Sequence, residues 1–283
     1  MDFEKWQALG NDYLIVESGQ LPFDLTPARI RAICAAHTGV FADGILLLCD
    51  GETPDAPPRL RVFNPDGSEA EVSGNGAREA IMYLHRHGRA GSEGFRLRTA
   101  AGELRPTILS STTCSVEMGQ AHLTSRDYPA GGPDGRGELS AAGRRWSFQH
   151  VKVGNPQCSI RMDSESQLAA LDLTEIGPSI ERHELFPNRT NVSWYAVLAA
   201  NRIRARIFER GAGETASSGT GAIGAAVAHM LSGASSPVTV VLDGGELEVA
   251  VSPDLDIELT GWAVPVFRGA LAAEFVEELD ALE

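Results

Sequence analysis

The sequence predicts an α+β fold of two pseudo-symmetric domains, each a curved, mostly antiparallel sheet around a central helix. Three observations predict it. First, "FNPDGSEAEVSGNGAREAIMYL", from Phe63 to Leu84, falls on "FERGAGETASSGTGAIGAAVAHML", from Phe208 to Leu231, at a shift of 145 positions. Phe63 then pairs with Phe208, Glu69 with Glu214, Ser73 with Ser218, Gly74 with Gly219, Gly76 with Gly221 and Ala77 with Ala222. Second, "GNDYLIVE" from Gly10 and "GNPQCSIRM" from Gly154 repeat at a shift of 144, so two motifs recur in the same order. Third, the chain is dense in short strand-like runs and sparse in helices.

Taken in order, the strand candidates are "DYLIVES", "GILLLCD", "RLRVFNP", "GFRLRTA" and "CSVEMG" in the first half. "QCSIRMD", "NVSWYAVL", "RIRARIFER", "VTVVLDG" and "ELEVAVS" follow in the second. Each is short, rich in branched or aromatic residues, and bounded by Gly, Pro, Asn or Asp. Alternation in "RLRVF" and "RIRARIF" marks strands with one wet face. Three helices are expected. "TPARIRAICAAHTG" offers Thr26 as N-cap, Pro27 at the first position and Gly39 as a stop. "AREAIMYLHRHG" and "AIGAAVAHMLSG" follow the two Ser-Gly-x-Gly turns and end at Gly88 and Gly233. Apolar residues at helical spacing bury one face of each, and the Ala and Gly content of the second implies close backbone packing.

The 283 residues suffice for two medium domains. We expect an N-terminal half over 1–125, a C-terminal half over 145–265, a turn-rich linker over 126–144, and a segment 266–283 that packs back on the first half. With 43% hydrophobic and 22% charged residues the composition is that of a soluble globular protein. A net charge of −14 argues against nucleic acid or an anionic membrane as partner. The longest apolar runs are far short of a membrane span, and "MDFEKWQALGNDYLIV" is not a signal peptide. Cys34, Cys49, Cys114 and Cys158 have no CxxC spacing and no histidine cluster, so reduced thiols in a cytoplasmic protein are expected rather than a zinc site or a disulfide framework.

A helix N-terminus exposes backbone N–H groups and carries partial positive charge. Glycines admit a ligand close to that backbone, so "SGNG" at 73–76 and "SGTG" at 218–221 each read as an anion cradle. Two cradles related by a repeat would face a common cleft. That arrangement suits inversion of a stereocentre: one group takes a proton from one face, another returns one to the opposite face, and amides hold the carboxylate whose charge develops. Read singly, each element is ordinary. Serine before a helix is a common N-cap, Asn11 and Asn155 suit turns, and Glu209 with Arg210 suits a surface pair. Asp43 and Asp66 suit turns as well, and His37 suits a helix end.

The motifs "KWQALGNDYLIVE", "HTGVFADGILLL", "FNPDGSEAEVSGNGAR", "RLRTAAGE", "GNPQC", "FPNRTNVSW" and "RIFERGAGETASSGTGA" together resemble the diaminopimelate epimerase family, cofactor-independent amino-acid racemases and epimerases, over nearly the whole chain. The resemblance implies a two-domain fold of that type and a homodimer. It implies an amino-acid substrate bearing a carboxylate, and no metal, pyridoxal phosphate or nucleotide. It also implies substrate contacts at Asn11, Asn64, Asn155, Gln157, Asn191, Glu209 and Arg210, with amide cradles at Gly74, Asn75, Gly219 and Thr220.

This sequence departs from the family pattern at the chemistry. Ser73 and Ser218 stand where the family has its two acid–base cysteines, Gln157 where "GNPHC" has histidine, and Gly44 where glutamine sometimes occurs. Cys158 matches a position outside the acid–base pair. A thiol of pKa about 8.5 reaches the thiolate with help from a helix terminus. A serine hydroxyl needs an adjacent base. Four readings follow: an epimerase with serine in both acid–base positions; an isomerase of the phenazine-biosynthesis type using a carboxylate such as Asp43; an amino-acid-binding homologue without chemistry; or an engineered Cys-to-Ser variant.

Overall fold

The computed structural model describes residues 1–51, 53, 56–90 and 95–282. Gly94, which opens one expected strand, and Glu283 lie outside the described residues. The chain forms two compact units, Met1–Val116 with Gly261–Glu283, and Glu117–Thr260.

The first unit begins with the hairpin β1 (Asp2–Ala8) and β2 (Asn11–Glu17), turned by Leu9 and Gly10, both at positive φ. That geometry matches strand twist. Helix α1 (Pro27–Cys34) leads to β3 (Ile45–Cys49), β4 (Arg59–Phe63) and the short β5 (Glu69–Ala70). Helix α2 (Gly74–Arg86), β6 (Leu97–Thr99), β7 (Gly102–Leu104), β8 (Pro106–Ile108) and the start of β9 (Thr113–Gln120) follow. β1/β2, β3/β4, β4/β5 and β6/β7 are antiparallel, whereas β2/β3 and β4/β6 are parallel.

The second unit repeats this order. Hairpin β10 (Arg136–Ala141) and β11 (Arg144–Val153) precedes β12 (Asn155–Met162). Helices α3 (Glu165–Ala169) and α4 (Leu173–Glu181) lead to β13 (Asn191–Ala199), β14 (Arg202–Glu209) and β15 (Gly213–Thr215). Helix α5 (Gly219–Leu231), β16 (Val238–Leu242), β17 (Gly245–Val251) and β18 (Asp256–Trp262) complete it. The parallel pairs recur at equivalent places, β12/β13 and β14/β16, among antiparallel ones. The chain then returns to the first unit as β19 (Val264–Ala270), paired antiparallel with β1, and α6 (Ala273–Asp280).

Both sheets are covered on two faces, which explains their continuous apolar runs. In β3, Ile45 and Leu47 join a core with Ile30 and Ile33 of α1 and Leu279 of α6. Leu46 points the other way, to Gly76 of α2. In β12, Cys158, Ile160 and Met162 pack with Leu173 and Ile180 of α4, while Gln157 and Ser159 back onto Gly224 of α5.

Unit boundaries differ from those expected. Residues 117–125 and 126–144 belong to the second unit, and 261–265 to the first. The glycines of 126–144 mark turns rather than a linker. Ala142 and Gly143, both at positive φ, close the β10–β11 hairpin. Asp127 is held by Lys152 (2.6 Å) and Asn188 (2.9 Å). Helix α1 ends at Cys34, short of Gly39. A Cβ on Gly39 would lie 2.3 Å from the Ala32 carbonyl, so the glycine serves a close return over the helix end.

Candidate functional site

In each unit a strand–turn–strand leads into a serine that caps a 13-residue helix. Ser73 Oγ accepts the Gly76 N–H (3.1 Å) and Ser218 Oγ the Gly221 N–H (3.2 Å). Both serines are extended and both helices begin on glycine. The first-turn amides at Gly74, Asn75, Gly219 and Thr220 belong to the set an α-helix leaves without intrahelical partners.

In the second unit the Ser218 hydroxyl donates to Glu209 Oε2 at 2.8 Å, and Thr215 donates to Oε1 at 2.9 Å. Burial pushes the Glu209 carboxyl above its ordinary range, against the lowering effect of these two hydrogen bonds. The hairpin β14–β15 builds this triplet, since Glu209 ends one strand, Thr215 ends the other, and Ser218 follows the turn into α5. Beside it, buried Asn191 accepts the Arg210 backbone N–H at 2.7 Å, and the Arg210 guanidinium donates to the Asn188 carbonyl at 2.9 Å. Gln157 donates to Asn155 at 2.7 Å. Its carbonyl oxygen is buried without a partner.

In the first unit the surroundings are amides and hydroxyls. Tyr13 donates to Ser73 Oγ at 3.3 Å. Asn75 donates to Asn11 at 3.3 Å, and Asn11 donates to Asp43 Oδ2 at 2.7 Å. The Asp12 N–H occupies the same Asp43 oxygen at 3.0 Å. Asp43 is thus a positioning anchor for the Asn11 turn, which speaks against its use as the proton-transferring carboxylate. Asn64 sits apart from these groups, donating to Ser68 (2.9 Å) within the β4–β5 turn.

Of the residues singled out in the sequence, Ser218 and Glu209 are in contact, as are Asn11 and Asn75, Asn155 and Gln157, and Asn191 and Arg210. Tyr13, Thr215 and Arg78 escaped sequence reasoning. Thr215 had a signal, since "GETASSGTG" places it three residues before Ser218, where the paired turn begins. Tyr13 and Arg78 had none that separated them from a core aromatic and a helix-surface arginine.

A family model described as diaminopimelate epimerase matches residues 3–124 and 149–265. A diaminopimelate epimerase of Synechococcus sp. (strain JA-3-3Ab) is 39% identical over 281 residues, covering 96% of this chain and 98% of that protein. One from Moorella thermoacetica is 39% identical over 280 residues, covering 95% and 98%. Among solved structures, a PhzF-family phenazine biosynthesis protein of Bacillus anthracis aligns with TM-score 0.67 at 15% identity, covering 96% of this chain and 99% of that one. A hydroxyproline epimerase of Agrobacterium vitis aligns with TM-score 0.63 at 13% identity, covering 95% and 90%. These two share the fold.

Proposed function

The chain belongs to the diaminopimelate epimerase family and is an isomerase of that type, and we propose that it interconverts LL- and meso-diaminopimelate, or an amino acid with the same two polar ends, by removing and returning an α-proton. The observation that carries this reading is the Ser218–Glu209 hydrogen bond. A serine hydroxyl alone is a poor base. Backed by a buried carboxylate it becomes a relay: Ser218 Oγ takes the α-proton while its own proton passes to Glu209. The C–H bond breaks, Glu209 ends as the neutral acid, and the electron pair stays on the substrate, spread into its carboxylate. Burial, which already favours the protonated form of Glu209, favours that outcome. Amides at Gly74, Asn75, Gly219 and Thr220 hold the carboxylate as charge develops. Ser73, receiving a hydrogen bond from Tyr13, returns a proton. Asn64 contacts the α-amino group, and Asn11, Asn155, Gln157, Asn191 and Arg210 serve the distal amino-carboxylate end.

The fold relatives of phenazine and hydroxyproline chemistry are 15% and 13% identical, against 39% for the curated epimerases, so the carboxylate-isomerase and binding-only readings are not favoured. Incubation with LL-diaminopimelate in D₂O tests the proposal. Deuterium at the α-carbon together with meso product is expected. Exchange without inversion points to another isomerase, and neither points to a binder.

No helix among the described residues is long and apolar enough to cross a membrane. The four free cysteines and the acidic surface support a cytoplasmic enzyme that does not bind nucleic acid. Strand β19 is an edge that exposes Val266 and Phe267, a template for pairing with a second copy, which supports a homodimer. Phe267→Glu should then shift sedimentation from dimer to monomer.

A further inference from the structure

The guanidinium of Arg78 is wholly buried one turn into α2, a place that the carboxylate cradle does not by itself require. It donates to the Gly74 carbonyl at 3.1 Å and to the Asn75 side-chain oxygen. Both acceptors are neutral, and both belong to residues of the proposed cradle. Among the described residues no carboxylate is bonded to Arg78. Its neighbour in sequence, Glu79, is also buried and makes no hydrogen bond to it, and burial raises that carboxyl well above its ordinary range. The third titratable group nearby, Cys114, is pushed up to about 12 by burial and stays a thiol. Burial likewise draws the Arg78 guanidinium down to about 10, which leaves it a cation at physiological pH.

A buried cation hydrogen-bonded only to neutral acceptors is expensive. A natural protein keeps one where it serves something else. The geometry points to Arg78 as a positioning residue for the carboxylate cradle: it fixes the Asn75 side chain and holds a positive charge behind the first turn of α2. Because Arg78 takes the Asn75 oxygen, the Asn75 amide nitrogen must point to Asn11, as it does at 3.3 Å. The Asn11 oxygen that receives it is turned that way from the other side as well, because the Asn11 nitrogen donates to the Asp43 carboxylate at 2.7 Å. Arg78 and Asp43 thus hold the two ends of one amide chain, with Arg78 setting the Asn75 end. The Gly74 carbonyl, held by the same group, settles the peptide that presents the Asn75 N–H. An arriving carboxylate meets donors already aimed, and a cation behind them. The inference rests on the proposed role of Gly74 and Asn75, and it assigns the residue that makes that role possible.

Arg78→Met and Arg78→Lys test it, with diaminopimelate as ligand. Arg78→Met removes the charge and the latch while keeping an unbranched side chain in an apolar site. We expect calorimetric Kd to rise at least tenfold and α-proton exchange to fall, while the variant melts no lower than the parent, because a buried charge has gone. Arg78→Lys keeps the charge without the fork and should recover part of the affinity. A purely structural arginine predicts the opposite: a lower melting temperature, with Kd and exchange unchanged in the folded fraction. Should Arg78→Met not fold, Asn75→Ala supplies the second route. Arg78→Lys should then add almost nothing in the Asn75→Ala background, and an equal loss in both backgrounds overturns the inference. The Asn75 side-chain amide also reports without substrate, since its hydrogen exchange should quicken in Arg78→Lys. A parent that neither binds nor exchanges diaminopimelate would refute the substrate assignment. Unchanged Asn75 amide exchange would refute the Arg78 latch.

Discussion

The two capped helices share a backbone and differ in the direction of one hydrogen bond. Ser218 donates to a buried carboxylate, whereas Ser73 accepts from a phenol. The residue that matches Glu209 at the shift of 145 is Asn64, a neutral amide engaged in its own turn. So one half holds a group able to take a proton, and the other a hydroxyl chain able to give one. A repeat preserved the cap geometry, which backbone requirements dictate, and let the chemistry diverge at positions the backbone does not constrain. Inversion in one direction needs just such an unequal pair. In the reverse direction the same groups exchange roles, so the two directions should respond differently to each substitution.

The largest effect should come from erasing the inequality. Ser73→Cys with Ser218→Cys puts a group of pKa about 8.5 at both helix starts, and α-proton exchange should rise by about 10²–10⁴-fold, the usual worth of a general acid or base. Of the single variants, Ser73→Cys should gain more, because its half has no carboxylate to assist the serine. Equal gains from the two single variants would show that Glu209 gives Ser218 no advantage.

Removing the carboxylate comes next. Glu209→Gln should lower exchange by about 10²-fold, and Asn64→Ala by much less. The parent should lose activity as pH falls through the raised Glu209 pKa, above the ordinary carboxylate range, and this acid limb should vanish in Glu209→Gln. The stability effect has the opposite sign. A carboxyl whose folded pKa lies above its unfolded value contributes stability below the unfolded pKa and loses it as pH rises. Above the folded pKa the ionised Glu209 therefore costs stability, and there Glu209→Gln should melt no lower than the parent while losing exchange. An activity loss matched by a fall in melting temperature would mean the glutamate is structural.

The repeat was legible because it is written in glycines and serines, whose positions answer to backbone geometry. The cap serines and the strand runs of both halves could be read for the same reason. The strands β11 and β19 were not expected, since "RRWSFQHVKV" is broken by charges and β19 contains Pro265. β19 is held by register with β1 at the other end of the chain, which local pattern does not encode, whereas β11 is held between its sequence neighbours β10 and β12. Helix α4 was hidden by Gly177 and Pro178. At the site, Ser218, Glu209 and Asn191 could be named from motifs. Tyr13 and Arg78 could not, because their roles come from which side of a sheet or helix they share with Ser73 and Asn75. The division at Val116 rather than near 125 escaped because β9 runs through it without a break.

The equivalent glycines of the two helix starts sharpen the comparison at the level of packing. A Cβ on Gly221 would lie 2.7, 2.8 and 3.1 Å from three carbons of Ile207, a β-branched side chain locked in a strand. A Cβ on Gly76 would meet one methyl of Leu46 at 2.9 Å, the end of a more adaptable chain. Gly221→Ala should therefore cost about 2 kcal/mol, in the range for overpacking, and Gly76→Ala less than about 1. Denaturant unfolding measures both. Equal costs would mean that helix propensity, not the neighbour across the sheet, decides.

The smallest difference expected is between two ion pairs that also match at the shift of 145. Arg61 meets Glu69 through two bonds of 2.9 and 2.8 Å, with both side chains 36% exposed. Arg206 meets Glu214 at 2.9 Å and also donates to the carbonyls of Leu168 (3.0 Å) and Ala169 (3.4 Å), the last residues of α3, and of Leu171 (2.8 Å) just beyond it. The first is a solvated pair, worth about 0.5 kcal/mol. The second leaves carbonyls without their donor when cut, so Arg206→Ala should cost about 1.5 kcal/mol. Salt separates the two, since screening acts on the exposed pair and spares the carbonyl bonds. The Arg61→Ala cost should shrink toward zero in 0.5 M salt while the Arg206→Ala cost persists. Acid separates them too. The hydrogen bond from Arg61 holds the Glu69 carboxyl below its ordinary range, so that pair's contribution is present above the unfolded pKa and is lost as pH falls through the folded one. Below that pH, Arg61→Ala should match the parent while Arg206→Ala remains destabilised. If both costs vanish together, the carbonyl bonds contribute nothing, and the two pairs are as alike in energy as they are in sequence.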